Sequence, residues 1–468
     1  MRPHFFPLLL GVIAIGIRVM PAAAQSSLPE MSGGKSAAIA LPAPSASARD
    51  LFSRNRERLV QVRVLLNSAN EQSSLGSGFV VRDDGANNTS NTGGAWLLTN
   101  YHVVSSLAVD PEKFRIELRG ASERNVKATL VAVDVIHDLA VLRTEPVAGS
   151  AAWPLFTLRD GPPAQGERIY SLGNPLELGF LISEGLYNGL VESRVYDQML
   201  FSGAINAGMS GGPAIDDSGR VVGVNVAVDR RGQLLSYLVP IRYARELLER
   251  ALQAPPRKEW RSEIARQLLV HQQFVAGKLL STTNSTNATH VTGGAKAGFA
   301  TQTLAGRTVV TLDGSLTKCW AGGRDGERLR YQRDTLTCAL RSEVFVRGEF
   351  YSGSVNLRHV LLRNDKLADP QFFAIGIPGH IANWFSHWGT RETTPDECRD
   401  DYVSGTMHVY RVAVCIKAFR KFEGLYDFTI NATQVDDARE RMHSSMTLNG
   451  MSFDNGQRLA QMFLERLQ

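Results

Sequence analysis

Gly208-Met209-Ser210-Gly211-Gly212-Pro213 is the stretch on which the fold assignment turns. Glycines on both sides of Ser210 permit a tight backbone turn, which exposes the serine hydroxyl and lets a carbonyl group approach it closely. In such a turn Ser210 is a candidate nucleophile, and the amides of Gly208 and Ser210 are candidate donors to an oxyanion. Taken alone, the motif also fits an ordinary glycine-rich hairpin turn.

A candidate base for Ser210 follows an apolar strand. The strand ends in Thr99-Asn100-Tyr101-His102-Val103-Val104, so His102 is predicted at a strand-to-loop junction. A general base must sit within hydrogen-bond reach of the hydroxyl that it deprotonates. The chain has 10 histidines, so a structural or solvated role for His102 is the alternative.

A candidate carboxylate stands at the head of another apolar strand, in His137-Asp138-Leu139-Ala140-Val141-Leu142. A buried aspartate must be hydrogen-bonded, and holding one tautomer of His102 would satisfy Asp138. The alternative is an aspartate in a surface turn. His137 is a rival base, but its neighbours do not match a base-bearing loop.

Short β-rich runs surround these three segments, separated by Gly, Asn, Asp and Pro. This pattern indicates a sandwich or a barrel, and a helix is predicted from Pro240 to Leu252. The predicted strands are Val60–Leu66, Gly78–Arg82, Ala95–Thr99, Phe114–Leu118, Ala128–Val135, Ala140–Thr144, Arg168–Leu172, Gly189–Ser193, Gln198–Ser202, Val221–Val228 and Ser236–Val239.

The order His102, Asp138, Ser210 resembles that of the chymotrypsin-like serine proteases, and within them the bacterial HtrA/Deg group. The carrying segments are T-N-x-H-V-V, H-D-L-A-V-L and G-x-S-G-G-P, and further similar ones are Gly76–Val80, Leu172–Pro175, Ser183–Gly185, Ala204–Asn206 and Gly223–Val228. The resemblance covers residues 51–255. It implies an all-β-dominated, trypsin-like protease domain of two six-stranded antiparallel β-barrels, with the catalytic residues in the cleft between them.

The resemblance also implies roles for these residues and a class of substrate. His102 would be the general base, Asp138 its orienting partner and Ser210 the nucleophile that forms an acyl-enzyme, with Gly208 and Ser210 as the oxyanion hole. Protein or peptide substrates are expected, with no metal and no cofactor. Met209 stands where the family usually carries Asn or Asp. The alternative is a catalytically idle binding or chaperone protein, or an envelope-binding module.

Three aliphatic residues fall where the resemblance places the primary substrate pocket: Ile205, Val226 and Val228. Ala204, six residues before Ser210, occupies a position where an acidic residue would select basic substrates. A small or medium apolar residue before the scissile bond is therefore expected, because a charged one would be left unpaired. Simple packing of these aliphatics in the barrel is the alternative.

The C-terminal half is predicted to be a separate domain of unknown function. A helical connector over residues 256–295 leads into a β-rich domain over 296–468, which holds all four cysteines: Cys319, Cys338, Cys398 and Cys415. Two disulfides between sequence neighbours are favoured over a zinc site, because no C-x-x-C pair is present. No loop typical of a PDZ domain is recognisable. The aromatic residues of this half form either a ligand surface or a core.

The N-terminus predicts export. Residues 1–24 combine Arg2, an apolar run and Ala22-Ala23-Ala24, which is typical of a cleaved signal peptide, with a membrane anchor as the alternative. Residues 25–50 are predicted to be a flexible linker. The net charge of +5 includes Arg2 and Arg18, and the remaining basic residues are scattered, which argues against nucleic-acid binding. A periplasmic or secreted location is expected, and the oligomeric state is left open.

Overall fold

The first six strands close into a barrel whose interior is built from alternate aliphatic residues. In the computed structural model these strands are β1 (Leu59–Leu66), β2 (Glu71–Asp83), β3 (Ala95–Thr99), β4 (Phe114–Gly120), β5 (Asn125–Asp134) and β6 (Leu139–Thr144), in the closed order β1-β2-β3-β6-β5-β4. Val60, Val62 and Val64 share one face of β1 and are fully buried in the barrel core. Because successive side chains point to opposite faces of a strand, every second residue faces the interior of the barrel.

The next six strands close a second antiparallel barrel. They are β7 (Arg168–Gly173), β8 (Leu181–Leu190), β9 (Met199–Phe201), β10 (Pro213–Ile215), β11 (Val221–Val228) and β12 (Ser236–Pro240), in the closed order β10-β11-β12-β9-β8-β7. The expectation of two six-stranded antiparallel barrels is thus confirmed. The predicted strand Gly189–Ser193 is displaced, because β8 begins and ends earlier.

The structure describes residues 45–84, 94–120, 125–146, 152–192, 194–228, 235–280, 298–312, 314, 317–324, 330–348, 350–375 and 391–467. The predicted signal peptide and most of the predicted linker lie outside them. Helix α1 (Ala46–Asn55) begins inside that predicted linker, with the Ser45 hydroxyl accepting from the Ala48 amide and Leu51 buried. No helix among these residues is long and apolar enough to cross a membrane.

Three helices follow strands of the two barrels or connect the barrels to the C-terminal half. They are α2 (Tyr101–Val109), α3 (Ile241–Gln253) and α4 (Arg261–Leu280). Helix α4 lies within the predicted connector (residues 256–295), and its buried face is shared between two cores. Ile264 and Leu268 belong to the core of the first barrel, whereas Val275 and Leu279 belong to the core of the C-terminal domain. The helix therefore ties both halves together by apolar burial.

The C-terminal half is β-rich, as predicted, and centres on one antiparallel sheet of seven strands. Its order is β15-β16-β19-β23-β22-β21-β20. The strands of this half are β13 (Phe299–Leu304), β14 (Arg307–Leu312), β15 (Thr317–Arg324), β16 (Tyr331–Leu340), β17 (Val344–Arg347), β18 (Phe350–Ser352), β19 (Val355–Asn364), β20 (Glu397–Ser404), β21 (Val409–Ala418), β22 (Tyr426–Gln434) and β23 (Glu440–Met451), and the helices are α5 (Asp369–Phe373) and α6 (Phe453–Leu464).

Both predicted disulfides are present, Cys319–Cys338 and Cys398–Cys415. Each joins residues that lie directly opposite on an edge strand and its neighbour, β15 with β16 and β20 with β21. Edge strands hold fewer ladder hydrogen bonds than central ones. The two cross-links therefore secure both outer strands of the sheet.

Replacing Cys398 and Cys415 together by serine is expected to lower the free energy of unfolding of the protein by about 2–4 kcal/mol, because the cross-link restricts the unfolded chain. Urea unfolding monitored by circular dichroism would measure the loss. Wild-type protein treated with a reductant should lose stability as well. Equal stability of oxidised wild type and the double variant would contradict this assignment.

Candidate active site

His102 lies in the first turn of α2, directly after β3. The prediction of a loop at this position is wrong in that detail, and Asp138 supplies the reason. The Asp138 carbonyl oxygen accepts from the Tyr101 amide (3.1 Å), and the Asp138 Oδ1 accepts from the His102 amide (2.8 Å). Amides at the start of a helix have no intrahelical acceptor, so these two bonds let α2 begin immediately.

The Asp138 carboxylate binds His102 with both oxygens. While Oδ1 holds the backbone amide, Oδ2 accepts from Nδ1 of the imidazole at 2.6 Å. Asp138 itself adopts a left-handed backbone conformation (φ 55°), and the Asn100 amide group donates to its carbonyl oxygen at 2.8 Å. The proton of neutral His102 is thereby held on Nδ1, so Nε2 is left as an acceptor.

The pKa of His102 is set by two opposed effects. Burial lowers it, because the charged imidazolium is poorly solvated, but the charge of Asp138 and the hydrogen bond to it raise it by more. The pKa of His102 therefore lies above its usual 6.5. The side chain remains 29% exposed, so the ring can still be reached from solvent.

Ser210 sits on the predicted tight turn, which is pressed against the first barrel. Gly208 and Gly211 both have positive φ, and a Cβ at Gly211 would lie 2.3 Å from the Ser77 carbonyl oxygen. The Ser77 amide in turn donates to the Ser210 carbonyl oxygen at 2.8 Å. Only glycine fits at position 211, and the close approach joins the turn of one barrel to a strand of the other.

The Ser210 hydroxyl donates to the carbonyl oxygen of Val226 at 2.9 Å. Within the described ranges no hydrogen bond joins it to His102. The structure therefore brings His102 and Asp138 into direct contact, and places the hydroxyl on a different acceptor.

Two amides beside the hydroxyl have no protein acceptor in the part of the chain that the structure describes, those of Gly208 and Ser210. The unusual Met209 between them points inward. Its side chain is fully buried in an apolar cluster of the second barrel, together with Ile205. The longer apolar side chain is thus accommodated by the barrel core.

Ser77 is a residue whose contribution the sequence analysis missed, although Gly76–Val80 was recognised as similar to the family. Its hydroxyl donates to the Gly208 carbonyl oxygen (2.7 Å) and accepts from the Asn174 amide (2.9 Å). One buried side chain thereby joins the Gly208–Ser210 turn to the loop that follows β7. The motif Leu172–Pro175, which contains Asn174, was the available signal.

The three pocket residues have different surroundings. Ile205 is only 2% exposed and belongs to the barrel core, whereas Ala204 beside it is exposed. Val226 is partly buried on β11 and supplies the carbonyl that holds Ser210. Val228 lies on the same strand, but its side chain falls outside what the structure describes.

His137, the rival base, is directed elsewhere. Its Nδ1 contacts the Asp134 carboxylate at 2.9 Å, and its ring stacks on Tyr243 with 3.7 Å between ring centroids. The Asp138 carboxylate therefore binds His102, whereas His137, its neighbour in the sequence, binds Asp134.

Part of the chain is similar to known proteins. Residues 76–224 match the family model described as a trypsin-like peptidase domain. A "probable periplasmic serine endoprotease DegP-like" of Brucella suis is 32% identical over 157 residues, which is 33% of this chain and 27% of that protein. The bovine "serine protease HTRA2, mitochondrial" is 31% identical over 186 residues, 38% of this chain and 36% of that protein.

Among solved structures, a serine endoprotease from Yersinia pestis is similar with a TM-score of 0.36 and 23% identity, covering 46% of this chain and 69% of that one. The chain spans roughly a third of the length of the curated relatives it matches. It thus contains a trypsin-like serine protease segment of the HtrA type.

Replacing Asp138 by asparagine is expected to lower the pKa of His102, because the charge that raises it is lost while burial remains. NMR titration of the imidazole would measure this, with a wild-type midpoint above 6.5. Asp134→Asn, which alters the partner of His137, is the matched control and should leave the His102 midpoint in place. An unchanged midpoint in Asp138→Asn would refute the assigned pairing.

Proposed function

We propose that this protein is a serine endopeptidase in which His102, Asp138 and Ser210 form the catalytic triad. The observation that carries the proposal is the double contact of Asp138 with His102. It holds the imidazole in the tautomer that can accept a proton from serine. The trypsin-like segment of the chain supports the same chemistry.

Attack begins when the Ser210 hydroxyl leaves the Val226 carbonyl and donates to Nε2 of His102. Rotation about one side-chain bond moves a serine hydroxyl between staggered positions. The hydroxyl can therefore leave its resting orientation without a change in the backbone. As the oxygen attacks the scissile carbonyl carbon, its proton passes to Nε2. Asp138 then stabilises the imidazolium without itself taking the proton.

Collapse of the tetrahedral intermediate breaks the peptide bond. His102 gives its proton to the leaving amine, and the acyl group stays on Ser210 as an ester. A water molecule, deprotonated by His102, then attacks the ester carbon. The ester bond breaks, the acid product leaves, and His102 returns the proton to the Ser210 oxygen. The free amides of Gly208 and Ser210 are the proposed oxyanion donors in both steps.

The natural substrates we propose are exported or misfolded proteins outside the cytoplasm, cut after small or medium apolar residues. The N-terminal 24 residues support export as a signal peptide, and the name of the Brucella relative describes that protein as periplasmic. The division of the chain that we propose is a linker (25–50), a protease domain (51–255), a connector (256–295) and a C-terminal domain (296–468). Ile205, Val226 and Val228 are the proposed pocket residues.

An idle scaffold that binds proteins without cutting them is the second candidate, favoured by one observation. Ser210 is bonded to Val226 rather than to His102. A fluorophosphonate probe separates the two, since it reacts with a serine only when a base activates it.

Ser210→Ala is expected to reduce casein hydrolysis by about 10⁴-fold or more and to abolish fluorophosphonate labelling, because the nucleophile is removed. Ser218→Ala is the matched control, since Ser218 is exposed in a turn of the same barrel and should leave both readouts unchanged. Equal casein hydrolysis by wild type and Ser210→Ala would eliminate the proposed mechanism.

Peptides that differ only in the residue before the scissile bond test the pocket. Valine or alanine there is expected to exceed arginine or aspartate by about 100-fold in kcat/KM, because a charged side chain in an apolar pocket loses its hydration without gaining a partner. Cleavage sites mapped by mass spectrometry would give the same preference. A preference for basic residues would contradict these pocket residues.

A further inference from the structure

A hairpin of the C-terminal half lies against the helix that carries His102. Its strands are β17 and β18, which span Val344–Ser352. Val344 and Val346 are buried in the same apolar cluster as Val103 and Val104 of α2. The core of the first barrel is therefore completed by residues that lie far along the chain.

Three contacts fix this hairpin along the length of α2. At the start of the helix, the Tyr101 hydroxyl donates to the Val346 carbonyl oxygen at 2.8 Å. After the end of the helix, Arg347 contacts the Asp110 carboxylate at 2.6 Å. The Phe345 ring also packs at the start of the helix, in edge-to-face contacts with both Tyr101 and His102.

Asp110 anchors more than the hairpin. Its side chain is only 4% exposed, and it also binds Arg261 of the connector helix (3.0 Å) and Lys421 of the C-terminal domain (2.8 Å). Burial raises the pKa of Asp110, but hydrogen bonds and charges from Lys421 and Arg347 outweigh this and hold it below its usual value. An ionised, buried carboxylate that lost these partners would be strongly destabilised.

The position of Phe345 has a consequence for any bound peptide. Its ring centroid is 6.0 Å from that of His102, in an edge-to-face contact, and Tyr351 continues the aromatic surface at 5.6 Å with 48% of its area exposed. Reacting atoms must come within about 3 Å of the catalytic groups. A peptide whose leaving group reaches His102 therefore passes beside these two rings.

We infer that Phe345 is a specificity-determining residue, which forms with Tyr351 an aromatic wall of the substrate cleft beside His102. The wall would favour a large apolar or aromatic side chain at a position flanking the residue held by the primary pocket, because aromatic rings offer large apolar contact at little entropic cost. This inference rests on the proposed endopeptidase function. It makes the C-terminal domain part of the substrate-binding site.

The test uses the full chain and peptides with valine before the scissile bond. The neighbouring positions on both sides carry either phenylalanine or alanine. Phe345→Ala is expected to reduce the phenylalanine-over-alanine preference in kcat/KM by about tenfold or more, and Phe345→Leu by less. Tyr402→Ala is the matched control, since it removes another exposed aromatic side chain from the same domain, on β20, and should leave the preference unchanged.

Tyr351→Ala keeps the inference testable if Phe345→Ala fails to fold, because the Tyr351 side chain is half exposed and its removal should disturb folding less. It should lower the same preference ratio, by a smaller factor. Fluorophosphonate labelling of Ser210 is followed in every variant to monitor the nucleophile separately.

Three results would overturn the inference while leaving the endopeptidase intact. The first is an unchanged preference in both Phe345 variants and in Tyr351→Ala. The second is an equal loss on all peptides, which would make Phe345 a positioning residue for His102. The third is an equal gain on all peptides, which would mean that the hairpin blocks the cleft. Wild-type protein that neither cleaves nor labels would instead refute the proposed function, and the inference with it.

Discussion

The turn that presents Asp138 carries the strongest constraint in the protease half. Its carboxylate accepts from the amide and from the ring of His102, and its carbonyl accepts from Tyr101 and Asn100. Four donors converge on one residue in a strained left-handed conformation. The same contacts start helix α2, orient the imidazole and raise its pKa. The fold of the first barrel and the electrostatics of the site thus depend on one group of hydrogen bonds.

The second barrel is brought to this site by close backbone approach. Gly211 can have no side chain because the Ser77 carbonyl occupies the space, and the Ser77 hydroxyl reaches across to Gly208 and Asn174. This buried hydroxyl donates one hydrogen bond and accepts another, so its loss would leave the Gly208 carbonyl and the Asn174 amide without that partner. The cleft between the barrels is consequently held by polar contacts at the turn itself, with apolar cores on either side.

The sequence predicted those features that local patterns encode. Alternating aliphatics marked most strands of both barrels, glycine spacing marked the turn at Ser210, and the cysteine spacing led to the correct disulfides. Features set by distant contacts were missed. The helix at His102 depends on contacts with Asp138, and the position of the hairpin at Phe345 depends on its packing against α2. Three aromatic residues of the C-terminal half, Trp384, Phe385 and Trp388, lie outside the described residues, so the choice between a ligand surface and a core stays open for them.

The long separation between Asp110 and its cations sets an order of events during synthesis. Tyr101 precedes its acceptor on residue 346 by 245 positions, and Asp110 precedes Lys421 by 311. Ribosomes add about 5–20 residues per second, so a nascent chain carries the first barrel for many seconds before its charge partners exist. Until Arg347 and Lys421 have been added, Asp110 at the end of the helix of His102 can pair only with Arg261, and the helix has no covering hairpin. Completion of the site therefore depends on synthesis of the hairpin and of Lys421, far along the chain from His102.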